Sequence, residues 1–158
     1  MIRLFAMDVD GTLTDGGIYM DGAGNELKRF DVQDGQGIAS LLKEGVKVVF
    51  ISGRYSAPTQ QRADNLKITR CVNGTGEKLS ELKSAAEEWG ISREEIAYAG
   101  DDVPDVECIR WAGLGFAVVN AHTEALDAAD IVTKRGGGRG AIRECADYII
   151  KLNNGDIS

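Results

Sequence analysis

The sequence contains little proline, histidine and cysteine. Of its 158 residues, two are proline, one is histidine and three are cysteine. With so little proline and 43% hydrophobic residues, the chain lacks the composition of a disordered segment. The cysteines, Cys71, Cys108 and Cys145, are widely spaced and odd in number. Their spacing argues against a disulfide scaffold and a C-x-x-C zinc site, and it predicts a reducing, cytoplasmic environment.

Long apolar runs and an excess of positive charge are also missing. No apolar run approaches the roughly 18 residues that a membrane span needs. The apolar stretch at the N-terminus is interrupted by Arg3 and is too short for a signal peptide. The formal net charge is −7, from 18 basic and 25 acidic residues. An acidic chain is poorly suited to bind a phosphate backbone, so neither a nucleic acid nor a membrane is expected as a partner.

Short apolar runs alternate with amphipathic stretches, which is typical of an α/β protein with a parallel sheet. The length predicts a single domain spanning 1–158, since domains commonly have about 100–150 residues. Strands are predicted at 2–8, 46–51, 69–73, 96–99, 114–119 and 131–133. Helices are predicted at 34–44, 56–66, 76–89, 102–112, 121–129 and 140–152. The first of these helices has Asp34 as its expected N-cap.

One segment interrupts the alternation of strands and helices. Residues 16–31 directly follow the first strand, where a helix is expected, and they contain the turn-like sequence Asp21–Asn25. This pattern predicts a β-hairpin inserted after the first strand. The hairpin would stand above the carboxyl edge of the sheet and expose an apolar patch that includes Ile18, Tyr19 and Met20.

Polar residues collect at the predicted strand ends, where the functional groups of open α/β sheets meet. Asp8 and Asp10 follow the first strand two residues apart, so their carboxylates point the same way. Ser52, Gly53 and Arg54 follow the second strand at a helix N-terminus, a favourable place for an anion. Taken alone, this second triplet also fits an ordinary loop.

Two further strand ends carry charged residues. Lys78 lies in the first turn of a predicted helix, where the helix dipole disfavours a cation. A bound phosphate would explain it, and a solvated lysine is the alternative. Asp101, Asp102 and Asp105 crowd into one turn after the fourth strand. Helix capping would account for some of them, but their mutual repulsion favours a metal site, and oxygen ligands select a hard ion such as Mg²⁺.

Together these motifs resemble the haloacid dehalogenase superfamily of phosphatases that use an aspartate nucleophile. They are DVDGTLTDG, SGR, Lys78 and GDDVPD. A closer resemblance, covering nearly the whole chain, is to the 3-deoxy-D-manno-octulosonate 8-phosphate (KDO 8-phosphate) phosphatase family. The stretches that carry it are FDVQDGQGI, VVFISGRYSAPTQQRADNL, AYAGDDVPD, VVNAHTEALDAADIVT and GGGRGAIRECADYII. The resemblance implies a Rossmann-like, doubly wound parallel sheet without a separate cap domain.

The resemblance also implies the reaction, which is Mg²⁺-dependent hydrolysis of a sugar-acid phosphate through an aspartyl-phosphate. Asp8 would be the nucleophile, and Asp10 would act first as general acid and then as general base. Ser52, Gly53 and Lys78 would bind the phosphoryl group.

The ligand set implied for Mg²⁺ consists of the Asp8 side chain, the Asp10 backbone carbonyl and Asp101. Asp102 and Asp105 would orient the metal-bound water and Lys78.

Substrate recognition and assembly follow from the same resemblance. Arg54 and Arg62 would bind the sugar-acid carboxylate, because arginine suits bidentate recognition of that group. Family members are typically tetramers in which the hairpin of one subunit helps to cover a neighbour's site. Arg62 would act in its own subunit or across an interface, and a solvated helix arginine is the alternative.

Three other functions are alternatives to this one. A phosphatase of nonulosonate 9-phosphates is the closest, although an acidic residue is expected there in place of Arg54. A phosphorelay receiver domain also combines aspartates, Mg²⁺ and lysine. It would, however, accept phosphate at the end of its third strand and would lack the acid/base Asp10. A non-enzymatic scaffold is disfavoured because both Asp8 and Asp10 are present.

Overall fold

All six predicted strands of the parallel sheet are present in the computed structural model, which describes residues 1–158. The strands in chain order are β1 (Leu4–Met7), β2 (Tyr19–Met20), β3 (Glu26–Leu27), β4 (Lys47–Ser52), β5 (Arg70–Asn73), β6 (Ile96–Gly100), β7 (Leu114–Ala117) and β8 (Ile131–Val132). Six of them form one parallel sheet in the order β5-β4-β1-β6-β7-β8. The chain therefore winds outward in both directions from β1, and the predicted doubly wound fold is confirmed.

Helices cover both faces of this sheet. They are α1 (Val32–Lys43), α2 (Ala57–Leu66), α3 (Lys78–Glu88), α4 (Val106–Trp111), α5 (Thr123–Ala128) and α6 (Ala141–Asn153). On β1, Phe5 and Met7 pack into the core with α1, α2 and α6, while Leu4 and Ala6 pack with α3, α4 and α5. Both faces of the strand are thus apolar, as in other parallel sheets. None of the helices combines the length and the apolar character that crossing a membrane requires.

The prediction that Asp34 caps the first helix was wrong. The helix begins two residues earlier, and Asp31 is its N-cap, since the Asp31 carboxylate accepts a hydrogen bond from the Gln33 amide at 2.7 Å. Asp34 lies inside α1, fully buried, and accepts a hydrogen bond from the Arg143 amide at 2.9 Å. This aspartate joins α1 to α6, a tertiary contact that capping rules cannot anticipate.

The predicted helix at 102–112 also begins differently. Val103–Asp105 forms a 3₁₀ turn, and regular α-helix starts at Val106. The turn is closed by a reciprocal cap in which Asp102 accepts from the Val103 amide at 2.7 Å and Asp105 accepts from the Asp102 amide at 3.2 Å.

The hairpin expected after the first strand is present as the separate antiparallel pair β2 and β3. Its turn is organised by Asp21, whose Oδ1 accepts hydrogen bonds from the amides of Ala23 and Asn25 at 2.8 and 3.1 Å. The apolar side chains of the hairpin are largely in solvent, with Met20 78% and Leu27 70% exposed. The structure shows no further cap above the sheet, as predicted.

Candidate active site

Most of the predicted site residues meet at the carboxyl edge of the sheet, where β1 lies between β4 and β6. A pocket of about 400 Å³ opens there. Its lining includes Asp8, Asp10, Gly53, Arg54, Lys78, Asp101, Asp102 and Asp105. Residues far apart in sequence meet because parallel strands bring their carboxyl ends to one edge, and the winding reverses direction at β1.

Lys78 joins two carboxylates at the base of this pocket. Its Nζ lies 2.9 Å from Asp8 Oδ1 and 2.9 Å from Asp105 Oδ1. Burial by itself lowers the pKa of the Lys78 ammonium, but the charges of Asp8 and Asp105 outweigh burial and raise that pKa above its usual value. Lys78 is therefore a fixed positive charge beside Asp8.

Three carboxylates, those of Asp8, Asp101 and Asp105, cluster around the single positive charge of Lys78, so the site carries an excess of negative charge. Burial, followed by the charge of Asp105, raises the pKa of the Asp8 carboxyl well above its usual range. Burial also raises the pKa of Asp101. Carboxylate oxygens of Asp8, Asp101 and Asp105 lie within 4.8 Å of one another. An oxygen-only cluster with this charge imbalance is chemically suited to Mg²⁺.

Asp105 has a supporting position within the cluster. Its Oδ1 accepts from Lys78 and from the Tyr98 hydroxyl, at 2.9 and 2.6 Å. Its Oδ2 accepts from the backbone amides of Asp101 and Asp102, at 3.0 and 3.2 Å. Both oxygens are thus engaged within the protein, which leaves Asp8 and Asp101 as the better metal ligands. Tyr98 was missed from the sequence, although its hydroxyl is the only polar side-chain group in the strand IAYAG.

Gly11 permits the loop after β1 to lie directly against Asp101. A Cβ at Gly11 would come within 2.0 Å of Asp101 Oδ2, and the backbone there has a positive φ of 86°. Thr12 completes the contact, since its hydroxyl donates to Asp101 Oδ1 at 3.0 Å. The glycine of the DVDGT motif is therefore required by both its backbone conformation and this close approach.

Asp10 faces a lysine from the hairpin. Lys28 Nζ lies 2.6 Å from Asp10 Oδ1, and the Lys28 side chain is completely buried. Lys28 was not predicted as a site residue. The only available signal was the alternation of charged and apolar residues in Glu26-Leu27-Lys28, which is too common to single out one lysine.

The two predicted carboxylate-binding arginines occupy different places. Arg54 lines the pocket and forms a two-pronged ion pair with Glu26 of the hairpin, at 2.9 and 3.2 Å. Arg62 does not line this pocket; it donates to the Asp31 carbonyl at 3.4 Å and lies over the Phe30 ring. Within one chain, the fold brings Arg54 but not Arg62 to the site.

Ser52 lies at the end of β4, and its hydroxyl donates to the Arg54 carbonyl at 2.7 Å. This hydrogen bond folds the turn from Ser52 to Arg54. Ser52 is itself buried, whereas Gly53 and Arg54 are exposed toward the pocket.

A glycine-rich loop at residues 136–140 packs against the loop that follows β1. Asn120 connects the two, because its Nδ2 donates to the Gly11 carbonyl at 3.2 Å and its Oδ1 accepts from the Gly137 amide at 2.7 Å. A Cβ at Gly137 would lie 2.1 Å from the Gly11 carbonyl oxygen. The two backbones are therefore in direct contact. Asn120, like Lys28, was not predicted as a site residue.

Known proteins share both the sequence and the fold. Residues 71–143 match a family of haloacid dehalogenase-like hydrolases. The 3-deoxy-D-manno-octulosonate 8-phosphate phosphatase KdsC of Escherichia coli K12 is 42% identical over 149 residues, covering 94% of this chain and 79% of the relative. The corresponding enzyme of Yersinia pestis is 41% identical, with 94% of this chain and 80% of the relative covered.

Solved structures agree with these sequence relatives. The 3-deoxy-D-manno-octulosonate 8-phosphate phosphatase of Moraxella catarrhalis, in complex with magnesium, phosphate and KDO, superposes with a TM-score of 0.94 at 42% identity and covers 98% of this chain and 90% of its own. A cobalt-bound relative from Haemophilus influenzae has a TM-score of 0.93 at 35% identity, covering 97% of this chain and 90% of its own. The chain belongs to the 3-deoxy-D-manno-octulosonate 8-phosphate phosphatase family of haloacid dehalogenase-like hydrolases.

Proposed function

We propose that this protein hydrolyses 3-deoxy-D-manno-octulosonate 8-phosphate to KDO and phosphate, a step in the synthesis of a lipopolysaccharide precursor. The observation that carries the proposal is the buried ion pair between Asp8 and Lys78. It lies next to Asp10 and Asp101 at the carboxyl edge of the sheet, in a chain that belongs to this phosphatase family. This arrangement combines a nucleophile, a phosphate-binding cation and an acid/base group in one pocket.

The reaction has two chemical steps. The Asp8 carboxylate attacks phosphorus, the bond to the sugar oxygen breaks, and protonated Asp10 gives its proton to that oxygen. Asp10, now ionised, then takes a proton from water while the water oxygen attacks the phosphorus of the aspartyl-phosphate. This second step releases phosphate and restores the Asp8 carboxylate. A covalent intermediate divides a difficult hydrolysis into two easier transfers.

The residues around the pocket stabilise the transferred group. Lys78, together with the turn of Ser52 and Gly53, binds the phosphoryl oxygens. Asp8, Asp101 and the Asp10 carbonyl would hold Mg²⁺, whose charge would offset the repulsion between a phosphate dianion and the carboxylates. Asp105 keeps Lys78 in place, and Asp102 would orient water at the ion.

We propose that Arg54 binds the sugar-acid carboxylate of a substrate in its own subunit. It lines the pocket, and its fork already binds one carboxylate, that of Glu26. The substrate carboxylate must therefore replace Glu26 or share the guanidinium with it. Arg62, outside the pocket, reaches a substrate only across a subunit interface.

The direct test is a comparison of kcat/KM for KDO 8-phosphate and for a nonulosonate 9-phosphate, measured by phosphate release. We expect KDO 8-phosphate to be preferred, because the position where the nonulosonate relatives are expected to carry an acid is Arg54 here. A preference for the nine-carbon substrate would overturn the substrate assignment. Absence of turnover with any phosphomonoester would instead favour a receiver-like function.

We also propose a homotetramer with shared sites, acting in the cytoplasm. The hairpin supports this assembly, since Tyr19, Met20 and Leu27 are between 56% and 78% exposed and would be covered by a neighbouring subunit. The three cysteines are free thiols, as expected in a reducing compartment. Light scattering should give four times the 17.0 kDa chain mass. A fully active monomer would contradict the shared sites.

A further inference from the structure

The hairpin is exposed along most of its length, yet one of its charged side chains is directed inward. The Lys28 side chain has no solvent exposure. Its Nζ lies 2.6 Å from Asp10 Oδ1, 3.4 Å from the Thr59 hydroxyl and 4.0 Å from Glu26 Oε1. Burying an ammonium group is unfavourable unless it is paired and hydrogen-bonded. The ion pair with Asp10 and the nearby charge of Glu26 supply the pairing, and the Thr59 hydroxyl on α2 accepts the hydrogen bond.

The contacts form a continuous charge chain from Asp10 to Lys28, Glu26 and Arg54. Opposite charges alternate along it, and the outer pair is the Glu26–Arg54 fork. This series of ion pairs links the hairpin to Arg54, which lines the pocket, and to Asp10, the proposed proton donor. Lys28 is the member that touches Asp10.

We propose that Lys28 is a positioning residue that orients Asp10 for proton transfer to the leaving oxygen. The proposal rests on the acid/base role of Asp10 given above. Lys28 holds Oδ1, which restricts rotation of the carboxyl group and presents it to the pocket. A proton donor must lie within hydrogen-bond reach of the atom that it protonates. Loss of the lysine therefore weakens catalysis most where the leaving group needs a proton.

The test uses Lys28→Met, which keeps an unbranched side chain, one atom shorter, and removes its charge. Activity is compared on phenyl phosphate and p-nitrophenyl phosphate, because nitrophenolate leaves with little need of a proton. We expect kcat/KM, which reports formation of the aspartyl-phosphate and not its later hydrolysis, to fall by about 10- to 100-fold on phenyl phosphate, part of the usual contribution of acid–base catalysis. On p-nitrophenyl phosphate we expect a loss of at most about 3-fold, because proton transfer contributes little there.

Three further variants complete the design. Lys43→Met, on the exposed face of α1, is the matched control and should leave both activities unchanged. Lys28→Arg keeps the charge but moves its nitrogen atoms, so it should give an intermediate loss, again confined to phenyl phosphate. Adding Lys28→Met to Asp10→Asn should cause no further loss, since a residue that acts through Asp10 is not additive with it.

Equal losses on the two aryl phosphates, no loss at all, or additive losses in the double variant would overturn the proposal. If circular dichroism shows that Lys28→Met does not fold, Lys28→Arg decides by the same ratio of activities. Failure of the proposed function gives a different result. The wild type would then hydrolyse aryl phosphates but not KDO 8-phosphate, or Asp10→Asn would itself lose equally on both aryl phosphates.

Discussion

The buried charge cluster, which consists of Asp8, Lys78 and Asp105, differs from the hairpin in what holds its charged residues in place. All three residues are buried and joined by hydrogen bonds. Asp8 follows β1, Lys78 begins α3 and Asp105 lies in the turn before α4. Lys28 and Glu26 are held by a two-stranded ribbon whose apolar residues face solvent. The main sheet and its helices therefore fix the cluster in place. The hairpin that carries Lys28 and Glu26 has only a two-stranded pairing and little apolar packing to hold it.

The division matches the chemistry of the proposed reaction. Phosphoryl transfer requires a nucleophile and counter-charges that hardly move, because preorganised charges cost no reorganisation during the reaction. In that proposed reaction, substrate recognition and leaving-group protonation would depend on the groups that the hairpin contacts, Arg54 and Asp10. We therefore expect substitutions in the cluster to affect all substrates, and substitutions along the hairpin contacts to affect substrates selectively.

The largest effect is expected for Asp8→Asn, inside the cluster. An amide cannot act as the attacking carboxylate, so turnover should fall below detection on every phosphomonoester. Circular dichroism should remain that of the wild type, since asparagine has the same shape. Residual activity close to the wild-type rate would contradict the assignment of Asp8 as nucleophile.

Removal of the metal should abolish activity on every phosphomonoester substrate. After exhaustive chelation, phosphate release should stop, and added Mg²⁺ should restore it. Ca²⁺ should restore it poorly, because its looser and higher coordination misplaces the carboxylates. Full activity in the metal-free protein would remove the ion from the mechanism.

Asp10→Asn, at the boundary between the cluster and the hairpin, should begin to separate the substrates. We expect kcat/KM for KDO 8-phosphate, which reports the first step alone, to fall by about 10²- to 10⁴-fold, the usual contribution of general acid–base catalysis. The loss should be smaller on p-nitrophenyl phosphate, whose leaving group is more acidic. Steady-state kinetics on both substrates will measure the ratio, and an equal loss on both would rule out the acid role.

Arg54→Ala, which removes the outer end of the hairpin contacts, should be selective. A hydrogen bond to a charged group contributes about 1.5–3 kcal/mol, so kcat/KM for KDO 8-phosphate should fall by roughly 10- to 150-fold. p-Nitrophenyl phosphate lacks the carboxylate and should be hydrolysed almost normally. Arg62→Ala should show the same selectivity only in the assembled protein. Equal losses on both substrates would assign these arginines to phosphate binding or to structure.

The smallest effect on activity is expected for Tyr98→Phe, behind the cluster. Lys78 keeps both of its carboxylate partners, so kcat should change only slightly. The free energy of unfolding should fall by about 1.5–3 kcal/mol, because Asp105 loses a hydrogen bond, and the Tm should fall by roughly 3–12 °C. Tyr148→Phe is the control, since that half-buried ring packs at right angles to Phe116. Unchanged stability in Tyr98→Phe would show that Asp105 does not need the hydroxyl.

The order of strands and helices could be predicted because it is encoded in local patterns. Apolar runs and capping residues depend on neighbours a few positions apart, and they located all six strands of the sheet. The one wrong cap has a tertiary cause. Asp34 resembles a capping residue, but its carboxylate is committed to the amide of Arg143 on α6, a partner that no local pattern indicates.

The sequence by itself determined the α/β fold, the hairpin insertion, the strand-end positions of Asp8, Ser52 and Asp101 and the place of Lys78 in the first turn of a helix. Motif spacing and strand periodicity determine these features because they are properties of short segments. Only the tertiary structure decided which distant groups meet them. The pairing of Lys28 with Asp10, the Tyr98 hydrogen bond to Asp105 and the separation of Arg62 from the pocket depend on how elements pack in three dimensions. Such contacts join residues of ordinary type across long stretches of chain, and a single sequence carries no local sign of them.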